Sequence, residues 1–285
     1  MFSFIGVIQV VLYPECTLII SVYKDVESLC LILDKLAGQS SGNIGEIIIS
    51  EDGESIEMAQ FIKSVGHKWT NLKHLTQGDS GFRKNKALNR AILSTSNDYL
   101  IFIDGDCIPH THFIRSHLQN SAPGTVCVGR RTELGKGLSV FLKRFPGILK
   151  LLENKLVYFL FLLPMLLDGI KNAENGIYSP LLNRLSKKGN VRILGCNFSC
   201  FKKDLVSING FNEDYQEAGT GEDTDIDWRL KQAGVKSRNI KFLAIEYHLY
   251  HKKGHAYSIA NNRILDETIA ENRVVCTNGL YKEMK

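Results

Sequence analysis

A chain of 285 residues, 44% of them hydrophobic, can bury one large α/β core or two small ones, which excludes disorder as its main state. Its 35 basic and 30 acidic residues leave a net charge of +5, far from the saturating basicity of a nucleic-acid binder. The seven cysteines form neither a paired C-x-x-C zinc pattern nor the dense array of a disulfide scaffold, and they read as reduced thiols of a cytosolic compartment.

Residues 1–13 are apolar and uncharged, yet they lack the basic start and the small-residue cleavage site of a signal peptide and are too short to span a bilayer. The first buried strand is expected at 17–23 (TLIISVY). A helix follows, capped by Asp25, with Val26, Leu29, Leu33 and Leu36 on one face and Gly38 as its stop. A second aliphatic strand at 46–53 (EIIISEDG) ends in the acids Glu51 and Asp52. Strand, helix, strand is a βαβ unit, whose right-handed crossover puts both strand ends on one sheet edge, where nucleotides bind.

From Gly81 the sequence GFRKNKALNRAIL predicts a loop entering a helix, with Ala87, Leu88, Ala91 and Ile92 turned inward. Arg83, Lys86 and Arg90 then share another face, either as a solvated stripe or as a cradle for phosphates. Residues 99–107 (YLIFIDGDC) carry an unbroken apolar run into Asp104 and Asp106. Such a run suits a strand buried on both faces, and the acid pair at its end can offer oxygens to a divalent cation. An Asp-Gly turn leaving a core strand is the plain alternative.

Residues 125–130 (TVCVGR) predict another strand, after which the character changes. Lys136, Lys143, Arg144, Lys150 and Lys155 are interleaved with leucines and phenylalanines, and an apolar run at 156–167 (LVYFLFLLPMLL) follows. This stretch fits an amphipathic segment lying on an anionic bilayer, and fits equally a helical insertion packed on the domain. A polar connector at 172–189 leads to a strand at 191–201 (VRILGCNFSCF) that contains Gly195. In GTGEDTDIDWRL, at 219–230, Glu222 and Asp223 open a helix that turns Ile226, Leu230 and Ala233 to one side and ends at Gly234. Acids at a helix start complement its dipole, while repulsion between the two raises one carboxyl toward neutral pH, as a base requires. His248 lies in the apolar stretch 242–250 and His251 three residues on, where an imidazole can join oxygen ligands on a metal. A helix is expected beyond 261.

The order of these features resembles the family 2 glycosyltransferases of GT-A fold, over residues 16–254 with the 136–190 stretch poorly matched. The segment INGFNEDYQEAGTGEDTDIDWRL with the later YHLYH is similar to the galactosyltransferase-type C-terminal segment of bacterial polysaccharide and O-antigen transferases. That resemblance implies an α/β domain with a mostly parallel sheet flanked by helices and carrying one helical insert. Its parts would be a nucleotide-sugar-binding half (1–135), a basic and apolar insert that can associate with a membrane (136–190), an acceptor-binding and catalytic-base half (191–260) and a tail (261–285).

The resemblance also implies roles. Asp52 with Glu51 would contact the uridine, Arg83 and Lys86 the diphosphate, and Asp104 the ribose or a metal-bound water. Asp106 would ligate Mn²⁺ or Mg²⁺ together with His248, with His251 in reserve. Asp223 would be the base, with Glu222 beside it in the catalytic pair, and Glu222 and Asp225 would bind the acceptor. Thr224 stands where the family often has a further Asp, which puts the acceptor contact at that point in doubt. The implied activity is inverting transfer from a nucleotide-sugar, a UDP-sugar, to a hydroxyl of a glycan or lipid-linked saccharide in cell-surface polysaccharide synthesis, in the cytoplasm or on the cytoplasmic face of the inner membrane. Two other readings compete: a haloacid-dehalogenase-type phosphatase with Asp104 as nucleophile, and a non-catalytic nucleotide-sugar binder.

Overall fold

The computed structural model describes residues 13–38, 43–186, 191–219, 221–252 and 257–282. The aliphatic runs become the central strands: β1 (Cys16–Val22), β2 (Ile44–Glu51), β3 (Leu72–Leu75) and β4 (Tyr99–Asp104), all parallel. Further along come β5 (Cys107–Pro109), β6 (Thr125–Val128), β7 (Arg130–Glu133), β8 (Asn197–Phe201), β9 (Lys236–Asn239) and β10 (Ile245–His248). Strand order in the seven-stranded sheet is β3-β2-β1-β4-β8-β6-β9, with β8 antiparallel to both neighbours; a second, three-stranded sheet runs β5-β10-β7. The expected mixed, mostly parallel α/β sheet flanked by helices is therefore present.

The helices that position the cleft are α1 (Val26–Ala37), α2 (Ile56–Val65) and α3 (Lys84–Ser94). After α4 (Phe113–Gln119) comes a run of short helices, α5 (Lys136–Arg144), α6 (Leu149–Leu152), α7 (Lys155–Leu160), α8 (Leu162–Leu167) and α9 (Pro180–Leu185). The chain finishes with α10 (Lys202–Ser207), α11 (Glu222–Gln232) and α12 (Ile259–Ala270).

Period-two alternation sorts the core onto the two faces of the large sheet. Leu18, Ile20, Ile47, Ile49, Ile101 and Ile103 belong to the cluster that includes Leu29 and Leu33 of α1. Ile19, Ile48, Leu100 and Phe102 point the other way, to Leu88 and Ile92 of α3 and Ile226 and Leu230 of α11. Helix α1 begins as expected, the Asp25 carboxylate accepting from the Ser28 N–H at 3.0 Å.

Three expectations need adjusting. Residues 125–130 are not one strand: β6 ends at Val128 and β7 leaves for the second sheet. In 191–201 the strand begins only at Asn197, because upstream amides are taken by carboxylates of α11, Ile193 N–H by Asp227 at 3.0 Å and Gly195 N–H by Asp223 at 2.8 Å. The polar connector 172–189 contains α9, capped by the Ser179 hydroxyl. No helix among the described residues is long and apolar enough to cross a membrane, and residues 1–12 of the apolar N-terminal stretch lie outside them.

One buried cation ties α11 to the C-terminal part of the fold. Arg229, fully buried, donates from Nε to Asp225 Oδ2 at 2.8 Å and from Nη1 to the carbonyls of Ile208 and Gly210 at 2.8 and 2.9 Å. Asp225, 1% exposed, is thus committed to the interior. Asp225→Ala is expected to cost about 3–5 kcal/mol by leaving the guanidinium buried and unpaired, read as a lowered urea midpoint with an unchanged m-value.

Candidate active site

The carboxyl ends of β1, β2 and β4 open into a cleft of about 850 Å³, whose lining the start of α11 and the end of β10 complete. Gly105 makes this lining possible. Its N–H donates to Ser21 O at 2.6 Å, and a Cβ there would fall 2.9 Å from that oxygen and 2.8 Å from Val22 Cγ1. The chain leaving β4 is therefore laid against the end of β1, which separates the two acids of the Asp-Gly-Asp run.

Asp106 turns toward β10. Its Oδ2 lies 3.3 Å from Nε2 of both His248 and His251. The backbone holds them there: Cys107 is in register with His248 across β5 and β10, and Leu249 N–H donates to Asp106 O at 2.9 Å. Burial alone would raise the Asp106 carboxyl, but His248, His251 and Arg131 outweigh it and hold it at about 2, fully ionised. The sequence placed His248 first and His251 in reserve; the structure brings both to the same oxygen. His248 is the more buried of the two.

Asp104 turns the other way, its Oδ1 2.6 Å from Lys84 Nζ. This corrects the cation expected from α3. Lys86 is exposed and outside the cleft lining, whereas Lys84 is in it. The two positions are about 200° apart around the helix, so only one can face inward. Arg83 contributes its backbone N–H to Asp52 at 2.7 Å while its guanidinium returns to Phe82 O, and Arg90 donates to Thr76 O. Lys84 also extends the inward stripe of Leu88 by four residues back, the signal that would have identified it. Burial opposes its charge, yet Asp104, Asp223 and Glu222 more than compensate and keep it protonated.

The acid pair ending β2 divides by strand alternation. Asp52 lines the cleft, accepting from Gln77 Nε2 at 2.7 Å as well as from Arg83 N–H. Glu51, expected beside the uridine, is fully buried on the opposite side, pairing with His74 at 2.8 Å and accepting from Ser55 N–H at 3.0 Å. It fastens β3 and the start of α2. The acceptor contact expected at Asp225 is likewise corrected: two positions past Asp223, it lies across the helix, paired with Arg229.

Glu222 and Asp223 do line the cleft. Burial raises the Asp223 carboxyl, with Lys84 and the Gly195 N–H acting against it and Asp104 reinforcing it. Glu222 is also raised, by burial and by Asp223 beside it. A residue no strand pattern predicted joins them: Arg131 of β7, in the lining, donates to Cys196 Sγ at 3.4 Å. β7 has no aliphatic alternation to reveal it. The cleft thus contains a carboxylate with two imidazoles, an elevated acid pair, and the cations Lys84 and Arg131.

Residues 17–204 match the pattern of glycosyl transferase family 2. The chain belongs to that family. Residues 185–252 match a second pattern, described as the N-terminal domain of galactosyltransferase. No curated protein matches this family 2 chain in sequence. Its fold is similar to that of the mannosyltransferase PcManGT from Pyrobaculum calidifontis, solved in complex with GDP-Man and Mn²⁺, with 13% identity, a TM-score of 0.54 and coverage of 86% of this chain and 59% of that one. It is also similar to GalNAc-T7, solved with UDP, GalNAc and Mn²⁺, with 11% identity, a TM-score of 0.61 and coverage of 90% and 48%. The family 2 chain thus spans between about half and three fifths of these GT-A glycosyltransferase structures. Family membership takes the place of the phosphatase reading, and Asp104, its nucleophile, is engaged by the Lys84 ammonium.

Gly195 gives a direct handle on the acid pair, because a methyl group there would strike the Asp223 carboxylate. Gly195→Ala is expected to lower kcat about a hundredfold with little change in donor affinity, measured by turnover alongside donor titration.

Proposed function

We propose that this family 2 chain is an inverting, metal-dependent glycosyltransferase that moves a sugar from a nucleotide-sugar to a hydroxyl of a glycan or lipid-linked saccharide, in cell-surface polysaccharide synthesis at the cytoplasmic side of a membrane. The galactosyltransferase match is what favours a UDP-sugar donor. One observation carries the reading: the ionised Asp106 with its two imidazoles and the elevated Glu222–Asp223 pair line one cleft as two distinct groups, the first beside β10 and the second at the start of α11.

The donor set at Asp106 fits a divalent cation. A carboxylate held ionised lies 3.3 Å from a ring nitrogen of each of His248 and His251, an oxygen and nitrogen set that suits Mn²⁺ better than Mg²⁺. Asp106, His248 and His251 would hold that cation, which when bound supplies positive charge to the departing diphosphate. Asp104, expected as a further ligand or a ribose contact, fits the ribose or the cation's water better, because one oxygen already accepts from Lys84.

The remaining steps belong to the chain's own groups. Asp52, in the cleft lining just past β2, takes the nucleoside. Lys84 and Arg131 stabilise negative charge growing on the leaving group, in a site where protein dipoles replace water. Asp223, its carboxyl raised and oriented by the Gly195 N–H, takes the proton of the acceptor hydroxyl, and Glu222 binds that hydroxyl beside it. A base separate from the groups that hold the leaving group suits a single in-line displacement, which inverts the anomeric centre.

Asp106→Ala is expected to abolish the Mn²⁺-dependent part of UDP-sugar binding, whereas Asp223→Asn keeps binding and loses transfer about a thousandfold or more, with titration calorimetry and product release as readouts. Equal loss of donor binding in both would end the division of roles, and an unaltered Asp223→Asn would favour the non-catalytic binder. Proton NMR of the product checks the anomeric configuration. The base must be ionised to act, so kcat is expected to fall on the acid side at a pH above the ordinary carboxylate range. Lys84 lowers the Asp223 pKa, so Lys84→Met should move that limb to still higher pH, measured in a pH–rate profile.

A further inference from the structure

The helices α6 to α8 are apolar on both sides. Leu149, Leu152, Tyr158 and Met165 are buried in the domain core. On the other side Leu156, Leu160, Leu163 and Leu167 are 69%, 68%, 66% and 83% exposed, and Phe159 and Phe161 stand out with them. A helix with apolar residues all round belongs to a setting that covers both faces, and contiguous exposed apolar surface of this kind marks an interaction site.

Charge identifies what covers it. Between residues 136 and 171 the basic side chains are Lys136, Lys143, Arg144, Lys150, Lys155 and Lys171, against the acids Glu153 and Asp168. Both acids are turned to internal tasks: Glu153 pairs with Lys35 at 2.7 Å and accepts from Thr111, and Asp168 caps α5 by accepting the N–H groups of Gly137 and Leu138 at 2.8 Å. Lys136, Arg144, Lys150 and Lys155 are exposed. The face therefore presents leucines and phenylalanines among cations that the acids of its own segment do not offset, while Lys143 at its edge pairs with Asp25 and Glu27 at 3.4 Å. Two copies meeting through it would bring like charges together, whereas an anionic lipid surface satisfies both features.

We infer that the outer face of α5 to α8 seats the protein on an anionic bilayer, lying in the interface without crossing it. The seat is connected to the cleft. Lys143 of α5 is in the cleft lining, and Ser139 of α5 accepts from the N–H of Tyr250, which lies in that lining beside His251. A bilayer under α5 to α8 puts the cleft mouth beside the headgroups, so the acceptor class is a saccharide carried on a lipid; this choice of acceptor rests on the glycosyl-transfer reading, while the docking does not.

Flotation of the full chain with vesicles of phosphatidylcholine alone, and with roughly a third phosphatidylglycerol, tests the seat. The expected result is flotation with the anionic vesicles, weakened by salt. It should fall about tenfold or more in a Leu156→Ser/Leu160→Ser/Leu163→Ser variant and lose its dependence on phosphatidylglycerol in Lys150→Glu/Lys155→Glu. Each variant is checked for an unchanged thermal shift with UDP-sugar and Mn²⁺, which shows that the fold and the donor cleft survive. Absence of flotation with either vesicle, or flotation unaffected by both variants, overturns the inference. So does a concentration-dependent dimer in light scattering that the serine variant abolishes while vesicles bind neither protein. Flotation with no donor shift in the unmodified chain supports the seat and counts against the transfer reading alone.

Discussion

The constraint on which the site depends is the crowding of carboxylates in one cleft. Asp52, Asp104, Asp106, Glu222 and Asp223 all line it. A like-charged pair at 4 Å costs about 4 kcal/mol at an effective dielectric near 20, so such a group is stable only with cations among its members. Lys84 meets that need from α3: it contacts Asp104 at 2.6 Å and its charge is favoured by Asp223 and Glu222 as well. Arg131 acts from the opposite strand, lowering both Asp106 and Asp223. The consequence is a division among chemically identical groups. Asp106, next to imidazoles and Arg131, is strongly ionised, while Asp223, less well compensated, is elevated.

Topology is what allows residues so far apart in sequence to share this field. β8 enters the large sheet antiparallel between β4 and β6, which brings the segment before it, residues 193–195, under the start of α11. Amides that would otherwise pair with a strand neighbour are spent on Asp223 and Asp227, so Asp223 is held by backbone rather than by a mobile side chain. The second sheet performs the same task for the other group. With β10 between β5 and β7, His248 is fixed against Cys107 on one side and Glu133 on the other.

Much of this was legible from residue order. The runs TLIISV, EIIIS and YLIFID are long, β-branched and bounded by acids or glycine, so strand identity and the location of Asp104 and Asp106 at a strand end were fixed by local pattern. Facing was not. Arg83, Lys84 and Lys86 lie close together where the helix begins, and spacing says which residues share a face without saying which face the fold buries. The same ambiguity set Glu51, a core group, beside Asp52 in the expected site, and hid Asp225 in α11, where acids occur at 222, 223, 225 and 227 all round the helix. β5 and β7 carry only three and four residues, without aliphatic alternation, so Arg131 had no pattern to announce it.

Glu246 completes the electrostatic argument from beneath the cleft. It lies on β10 with no exposed surface, in a buried group with Cys107 and Cys196 whose thiol and carboxyl atoms lie within 4.8 Å of one another. Burial drives its carboxyl well up, with Cys196 and Asp104 adding to the effect and Arg131 opposing it. The Arg131 guanidinium thus acts on Glu246 as it does on Asp106 and Asp223, lowering all three. The outcome differs because of what stands beside it: at Asp106 the two imidazoles act with Arg131 and overcome burial, whereas at Asp223 and Glu246 burial prevails. The balance between burial and neighbouring cations, position by position, is what separates chemically identical carboxyls in their tendency to ionise.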